Sequence, residues 1–363
     1  MKVIAYFLFG DDRLYEVELV FSVLSALRFL KDQSEEIKFC VVSDSAERLL
    51  QHGEVGIELP IEHLTFSAQE FADWTNNGAY IYRAKPFALK KVLEHYQTPV
   101  ALIDTDTYFI DHPRKLFERI APGCSVMHVR EAAIGGSELW QPIVKQIGSG
   151  MNIAGIQISA RSLMLNSGVI GIDPADQSLI NSAIEILDYL YQVAPIFNVE
   201  QFAIGAVLDQ KTQLSVGDDV INHYWGVRKE FVRVQLLKVL KENTLEKITQ
   251  ILETTALEVP EVYPRIRLRD RVITTLNFFW HRDHDYRRAQ LAYRTALYYA
   301  KKHVGYANAW ANTALESVKV SKHRDRQKNA RDFRYLNKDA IEQVSWVRPP
   351  TRRGWMQFWQ QSG

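Results

Sequence analysis

Short apolar runs that alternate with helix-like segments are the feature of this sequence that most constrains its fold. Residues 3–9, 37–42 and 99–104 are nearly uninterrupted apolar stretches of strand length, and residues 16–30 and 83–96 carry apolar side chains at helical spacing. Strands that are buried on both faces have this continuous apolar character. The alternation predicts an α/β fold with a mixed, mainly parallel sheet and helices on both faces, which binds ligands at the carboxyl ends of its strands.

The pattern changes after about two-thirds of the chain, where strand signals become few. Residues 234–252 and 283–303 both fit helices, with apolar side chains on repeating faces. We therefore predict two domains, an α/β domain over residues 1–232 and a mainly helical C-terminal region over residues 233–363. The last part of the chain, residues 321–363, is a basic tail with ten Lys or Arg and four Asp or Glu.

Composition and charge exclude several classes of protein. Hydrophobic residues make up 47% of the chain and charged residues 24%, which is the balance of a packed protein. The formal net charge of +1 argues against nucleic acid as a partner. Cys40 and Cys124 lie within apolar runs and far apart in the sequence, which predicts buried thiols in a reducing compartment. Because the apolar runs fall short of the ~20 residues of a membrane span, we expect a cytoplasmic protein.

Asp104-Thr105-Asp106 follows the third apolar run and places two carboxylates at the ligand-binding edge of the predicted sheet. Carboxylate oxygens are the ligands that Mg²⁺ and Mn²⁺ prefer in proteins. A cation held there can bridge the two phosphates of a sugar nucleotide and neutralise the diphosphate as it leaves. By itself the pattern also fits two aspartates that cap a helix or lie in a solvated loop.

A second group of polar residues lies downstream, in the pattern His223-x-x-Gly226-x-x-Lys229. The imidazole of His223 can supply a third ligand to a cation such as Mn²⁺. Lys229 can reach the phosphates as a point charge, and Gly226 lets the backbone approach them closely. The alternative is that His223 is a core residue and that Lys229 is a solvated residue at a helix start.

Four motifs together resemble the family 8 glycosyltransferases, the group that contains glycogenin and lipopolysaccharide galactosyltransferases. In the order of that family they are Asp104-x-Asp106, the segment Asn166-Ser167-Gly168, the pair Glu200-Gln201, and His223-x-x-Gly226-x-x-Lys229. The resemblance covers about residues 1–232 and departs from the family at three points, one of which is the segment 9–15, which only approximates the family's nucleotide-binding opening. Glu200 stands where such enzymes usually carry aspartate, and Glu230-Phe231 stands where they carry Pro-Trp.

The resemblance implies a GT-A-type fold and a metal-dependent glycosyltransferase. Such an enzyme moves a sugar from a nucleotide-diphosphate sugar, with a UDP-sugar favoured, to a glycan, lipid or protein acceptor, and the resemblance implies retention of configuration. It implies that Asp104, Asp106 and His223 hold Mn²⁺ or Mg²⁺. It also implies that the Asn-Ser-Gly segment lines the sugar pocket and that Glu200 and Gln201 act near the anomeric carbon.

Two further groups are candidates for the donor site because of where they lie in the predicted sheet. Asp11, Asp12 and Tyr15 follow the first strand, where an acidic group and a stacked ring can bind a nucleoside; the alternative is a capped turn before a helix. Arg83 and Lys85 open the helix before the third strand and can pair with the diphosphate or with the aspartates of the Asp-x-Asp motif. The alternative for this second group is a solvated helix end.

The C-terminal region combines aromatic and basic residues. Tyr286 and Tyr293 lie among arginines in a helix-like segment, and Trp355, Phe358 and Trp359 lie beside arginines in the tail. This composition predicts peripheral contact with an anionic membrane face, on the inner side of a membrane, or with a glycan acceptor. The alternative is that the tyrosines belong to a helical core and the arginines to a solvated surface.

Two other functions remain open at this stage. The run before Asp104 and Asp106 also resembles the haloacid-dehalogenase phosphatases, in which the first aspartate attacks a phosphate and the second protonates the leaving group. Gly217-Asp218-Asp219 would then be the downstream metal motif. Against this, the phosphatase nucleophile normally follows the first strand, and the later motifs would have no role. A non-catalytic protein that binds sugar nucleotides is the third interpretation.

Overall fold

The structure of the protein is a computed structural model that describes residues 1–10, 13–30, 37–45, 59–242, 266–281 and 283–320. The chain divides into two compact units. The first unit comprises Met1–Tyr224 and Val239–Leu257, and the second comprises Trp225–Lys238 and Glu258–Gly363. The predicted domain boundary at residues 232–233 stays a prediction.

The strands that the structure describes all belong to the first unit. They are β1 (Lys2–Leu8), β2 (Ile37–Ser43), β3 (Ile61–Thr65), β4 (Val100–Ile103), β5 (Thr107–Phe109), β6 (Cys124–Met127), β7 (Arg130–Ala133), β8 (Met151–Ile153), β9 (Ile156–Ile158), β10 (Leu163–Leu165), β11 (Val169–Ile172), β12 (Gln213–Val216) and β13 (Ile221–His223). Seven of them form the central sheet, in the order β12-β6-β11-β4-β1-β2-β3. Within this sheet β11 is antiparallel to both of its neighbours, and the other pairs are parallel.

Helices cover both faces of this sheet. In the first unit they are α1 (Arg13–Leu27), α2 (Ala68–Trp74), α3 (Ala84–Tyr96), α4 (Arg114–Phe117), α5 (Gln141–Ile147), α6 (Leu179–Val193) and α7 (Val199–Lys211). Alternate side chains of β1 enter two different cores. Val3 packs in a cluster with residues of α3, α6 and α7, whereas Ile4 packs in a cluster with residues of α1. The predicted α/β fold with a mixed, mainly parallel sheet is therefore confirmed.

Three short antiparallel pairs lie beside the central sheet: β5 with β13, β7 with β10, and β8 with β9. The first of these pairs is the one that positions the candidate site. Its register sets His223 opposite Thr107, the residue that directly follows the Asp-x-Asp motif. Two segments more than a hundred residues apart in the sequence thus become neighbours.

The second unit is helical, as predicted for the C-terminal region. Its helices are α8 (Val227–Glu242), which extends beyond this unit, α9 (Leu268–His281), α10 (His284–Tyr299) and α11 (Val304–Val320). The predicted helix over residues 234–252 is described only as far as Glu242, and the predicted helix over residues 283–303 corresponds to α10. Within the described ranges, no helix combines the length and apolar character that a membrane-spanning segment needs.

The prediction that the tyrosines of α10 contact a membrane is wrong. Tyr286 and Tyr293 are 2% and 5% exposed, and both pack with Phe231 and Trp310 in the apolar core of the second unit. They belong to the core because the helical repeat places them on the same side as the alanines of α10. Trp355, Phe358 and Trp359 of the tail lie outside the described residues.

Arg83 has contacts that the sequence analysis did not foresee. Its guanidinium donates to both carboxylate oxygens of Asp188 on α6, with Nε–Oδ1 at 2.6 Å and Nη2–Oδ2 at 2.8 Å. It also donates to the backbone carbonyls of Asp73 and Trp74 at the end of α2. These bonds join α2, α3 and α6, and none of them reaches the Asp-x-Asp motif. The structure therefore gives Arg83 a bracing role in the fold.

We expect Arg83→Ala to lower the free energy of unfolding by about 2 kcal/mol, because it removes a bidentate ion pair and two bonds to helix-end carbonyls. Urea unfolding measures this loss. Arg161→Ala, at an exposed arginine of the same unit, is the matched control and should change stability by less than about 0.5 kcal/mol. The donor role of Arg83 stays a prediction, and an Arg83→Ala variant of unchanged stability that no longer binds a sugar nucleotide would support it.

Candidate active site

The Asp-x-Asp motif lies at the carboxyl end of β4, near the middle of the central sheet. Asp104, Thr105 and Asp106 form the short link between β4 and β5, and Thr105 and Asp106 are buried. The backbone N–H of Tyr224 donates to the carbonyl of Asp106 at 3.1 Å, which continues the pairing of β13 with β5. The sheet edge that the sequence predicted for ligand binding is therefore where these carboxylates lie.

Asp104, Asp106 and His223 bring their ligand atoms to one point. One oxygen or nitrogen from each lies within 4.8 Å of the others. His223 Nε2 is 3.3 Å from Asp106 Oδ1 and 3.9 Å from Asp104 Oδ2. Two carboxylates with one imidazole suit a cation such as Mn²⁺, which accepts both oxygen and nitrogen ligands. The donor set that the sequence predicted therefore fits a divalent cation.

The orientation of His223 is set by Asn166, which follows β10. His223 Nδ1 lies 2.9 Å from Asn166 Oδ1, and that same oxygen accepts the backbone N–H of Gly168 at 3.0 Å. The amide nitrogen of Asn166 donates to Glu131 Oε1 at 3.1 Å, which identifies Oδ1 as the acceptor end of the amide. An amide oxygen only accepts, so Nδ1 of the imidazole carries the proton. Nε2 then presents its lone pair to the carboxylates, as a metal ligand requires.

Gly168 is required by the same arrangement. A Cβ atom at this position would lie 2.1 Å from His223 Nδ1 and 2.5 Å from Cε1 of the same ring. No side chain fits that space unless the imidazole moves. The backbone carbonyl of Gly168 also accepts the N–H of Asp104 at 3.0 Å. The Asn-Ser-Gly segment therefore braces two of the three candidate ligands.

Lys85, in the first turn of α3, brings a positively charged side chain to the aspartates. Its buried ammonium group lies 2.6 Å from Asp104 Oδ1 and 4.0 Å from Glu200 Oε1, and it donates to the carbonyl and hydroxyl oxygens of Ser167 at 2.7 and 3.1 Å. Burial by itself lowers the pKa of Lys85, but the charges of Asp104 and Glu200 outweigh it, and the pKa is raised. Lys85 therefore stays charged beside the aspartates, one of the two pairings expected for it.

Glu200, in the first turn of α7, is a buried carboxyl group beside Lys85. Burial and, next, the charge of Asp104 raise its pKa to about 7, although Lys85 and a hydrogen bond from Ser167 lower it. Its Oε1 accepts no hydrogen bond from the residues that the structure describes. Its backbone N–H donates to the hydroxyl of Tyr80, which donates in turn to the carbonyl of Phe197. A buried carboxyl group with such a pKa is typical of a functional site.

Gln201 completes the group of residues that the structure brings together. Its Oε1 accepts the backbone N–H of Ser167 at 3.3 Å, so the predicted pair Glu200-Gln201 contacts the predicted Asn-Ser-Gly segment directly. The roles of these residues toward a donor sugar stay predictions. Their proximity to one another and to Lys85 is an observation.

The roles of the other predicted donor residues stay predictions. Tyr15 lies near the start of α1 and packs against the core on that face, and Asp11 and Asp12 are outside the described residues. Gly226 has a φ of +71°, which a glycine adopts without strain, and Lys229 donates its backbone N–H to the carbonyl of Gly226. Both belong to the second unit, so their role toward a donor stays a prediction.

Sequence reasoning missed two residues that support His223. Glu131 binds Asn166, as described above, and His128 donates its Nε2–H to the carbonyl of Ile221 at 3.1 Å. The ring of His128 lies edge-on to that of His223, with centroids 5.3 Å apart. Burial and then His223 lower the pKa of His128 to about 4, so it is neutral at pH 7. No spacing in the sequence links either residue to the four motifs.

No protein-family model and no curated protein matches this chain. Among solved structures it is similar to mouse xyloside xylosyltransferase 1 in its apo form, with 14% identity and a TM-score of 0.40, over 60% of this chain and 85% of that one. It is also similar to galactosyltransferase LgtC in complex with donor and acceptor sugar analogs, with 13% identity and a TM-score of 0.43, over 67% and 96%. Both are glycosyltransferases by name, the group that the motifs resemble.

We expect Asn166→Ala to weaken Mn²⁺ binding by about 10- to 100-fold, because His223 loses the acceptor that orients its ring. Isothermal titration with Mn²⁺ alone measures the affinity. Asn166→Asp, which keeps an acceptor oxygen, should retain most of it, and Asn181→Ala, at an exposed asparagine on α6, is the matched control. Equal affinity in Asn166→Ala and the wild type would contradict the orienting role.

The buried carboxyl of Glu200 should make the protein less stable as pH rises from about 5 to about 8. Its pKa of about 7 is above the ordinary 4.5, so over this range the folded state keeps a proton that the unfolded state has released. Stability therefore falls as pH rises, and Glu200→Gln removes this contribution.

Urea unfolding at both pH values tests the prediction. The difference in free energy of unfolding between Glu200→Gln and the wild type should shift in favour of Glu200→Gln as the pH is raised from about 5 to about 8. Gln201→Asn, which removes no titratable group, should differ from the wild type equally at both. A pH-independent difference for Glu200→Gln would mean that this carboxyl is ionised throughout.

Proposed function

We propose that this chain is a metal-dependent glycosyltransferase that uses a nucleotide-diphosphate sugar as donor, with a UDP-sugar favoured. The observation that carries the proposal is the convergence of Asp104, Asp106 and an oriented His223 at the carboxyl end of β4, beside a buried lysine. A divalent cation and a fixed ammonium at one sheet edge suit a diphosphate, which carries several negative charges. Mn²⁺ or Mg²⁺ is the proposed cofactor.

Asp104, Asp106 and His223 would hold the cation, which when bound supplies Lewis-acid stabilisation of the departing diphosphate. The chain adds to this charge through its own residues. Lys85 Nζ lies 2.6 Å from Asp104 Oδ1, so it orients this carboxylate and offsets its negative charge. Lys229 is proposed to contact the phosphates from the start of α8, as the resemblance implies.

The proposed reaction is a transfer at the anomeric carbon of the donor sugar. The bond between this carbon and the diphosphate oxygen breaks, and its electron pair leaves with the nucleoside diphosphate. The acceptor hydroxyl oxygen forms the new bond, and its proton passes to the released phosphate oxygen. Positive charge develops on the sugar in between, as in glycoside hydrolysis, so a carboxyl group nearby can stabilise it. Glu200 is proposed for that role.

Gln201 is proposed to lie against the face of the sugar, with retention of the anomeric configuration. The hydrogen bond from the backbone N–H of Ser167 to Gln201 Oε1 supports this proposal, because it would hold the side chain in place. For an inverting enzyme, a carboxylate base would have to activate the acceptor from the opposite face. Glu200 is the candidate for that task, and the configuration of the product decides between the two.

The phosphatase interpretation is the weaker alternative. It assigns the second metal motif to Gly217-Asp218-Asp219, but both carboxylate oxygens of Asp219 accept from Arg119, at 2.7 and 2.6 Å. Instead His223, for which that interpretation has no role, lies against Asp104 and Asp106. These contacts favour the transferase.

We expect one nucleotide sugar to release its nucleoside diphosphate when Mn²⁺ or Mg²⁺ is present and not in EDTA. A panel of UDP-, GDP- and ADP-sugars, with simple glycans as acceptors, measures this release. Asp106→Ala should reduce turnover at least ~1,000-fold, because the cation loses a ligand and the leaving group its stabilisation. Asp209→Ala, at a surface aspartate paired with Arg130, is the matched control.

Two results would contradict the proposal. Turnover that is equal in Asp106→Ala and the wild type would remove the metal site from the reaction. Hydrolysis of a generic phosphate ester that needs Asp104, without turnover of any sugar nucleotide, would support the phosphatase.

A further inference from the structure

Helix α9 of the second unit buries polar side chains and exposes apolar ones. Among its side chains that the structure describes, residues 268–276, the two buried ones are Asp270 and Thr274, at 1% and 0% exposure. Leu268, Val272 and Leu276 are instead 76%, 50% and 58% exposed. A surface helix of a globular protein normally buries its apolar stripe and exposes its polar residues.

Contacts with α10 fix α9 in this orientation. The buried carboxylate of Asp270 accepts from Arg294 Nε of α10 at 3.1 Å, and from Arg267 Nε, directly before α9, at 2.7 Å. Arg287 Nη2 donates to Thr275 Oγ1 at 2.9 Å. Because a buried carboxylate is costly without its partners, rotating α9 to bury the leucines would break these bonds. The exposed apolar stripe is therefore built into the packing of the two helices.

Basic residues border this stripe on both sides. Leu268, Val272 and Leu276 are four residues apart and share one face of the helix. At 3.6 residues per turn, Arg271 lies on one margin of that face and Arg269 on the other, and both are exposed. An apolar ridge between two cationic margins is the pattern of a helix that lies in the plane of a membrane interface.

We propose that α9 docks on an anionic lipid surface, with the Leu268-Val272-Leu276 stripe among the acyl chains and Arg269 and Arg271 on lipid phosphates. The positive charges of Arg269 and Arg271 favour an anionic lipid surface over a second copy of the chain as the partner of this stripe. A second copy that packed through the same face in a two-fold interface would set these arginines against each other. Three side chains also fall short of the roughly 800 Å² per partner that a stable interface buries. A lipid surface needs no such area, because shallow and reversible insertion suffices.

This inference is independent of the proposed transferase activity, since it uses residues of the second unit alone. It also differs from the contact predicted from the tyrosines of α10, which the structure places in the core. The basic tail, residues 321–363, is a separate candidate for the same lipid surface, so the experiment has to tell α9 and the tail apart.

The test is co-sedimentation of the full-length chain with vesicles of phosphatidylcholine alone or mixed with phosphatidylglycerol. We expect binding to the mixed vesicles only, weakening as salt is raised. Exchanging both leucines for serine (L268S with L276S) should weaken binding by at least about tenfold, from lost apolar burial. Arg269→Gln with Arg271→Gln should weaken it by about tenfold as well.

Matched controls separate α9 from the rest of the surface. Leu139→Ser removes a leucine of the first unit that is 46% exposed, and Arg161→Gln removes an exposed arginine there; both should bind like the wild type. Circular dichroism checks that the α9 variants stay folded. Failure of the wild type to bind anionic vesicles would overturn the proposal. Wild-type binding by the α9 variants would also overturn it, and would assign binding to another part of the chain such as the tail. Light scattering that shows a dimer lost in the leucine variant would assign the stripe to a second copy.

Discussion

The buried ammonium of Lys85 is the charge on which the candidate site depends. Asp104 and Glu200 both approach it, and without it two carboxylates would face each other in a poorly solvated space. The same ammonium donates to Ser167, whose backbone N–H is bound by Gln201. One cation thus joins the end of β4, the segment before β11 and the start of α7. Each of these elements brings one of the predicted motifs.

A chain of polar contacts on the other side of the Asp-x-Asp motif sets up His223. Glu131 fixes the amide of Asn166, the amide fixes the tautomer of the imidazole, and Gly168 leaves the space that the ring fills. The imidazole nitrogen thereby faces the carboxylates before any cation arrives, so binding needs little rearrangement. Preorganisation of this kind is what transition-state stabilisation by a metal site requires.

In the second unit, apolar packing joins some helices and polar contacts join another. Its core is built mainly by α10 and α11 from alanines and aromatic side chains, whereas the described side chains of α9 bond α10 through the ion pair of Asp270 with Arg294 and the bond from Arg287 to Thr275. Polar attachment leaves the leucines of α9 outward, where an ordinary helix would have buried them. The helical pattern alone would have assigned these leucines to the core, because it gives the period of the stripe and not the side on which neighbours lie.

The sequence by itself determined the fold class and most of the candidate site. Continuous apolar runs require strands buried on both faces, and Asp104, Asp106, His223 and Lys85 were expected together for reasons of charge and ligand chemistry. Tertiary structure alone decided that Arg83 bonds Asp188 on α6. It also decided that Glu131 and His128 support His223, and that α9 faces outward. These outcomes depend on which elements pack together across long stretches of chain, and residue spacing along the sequence does not encode that.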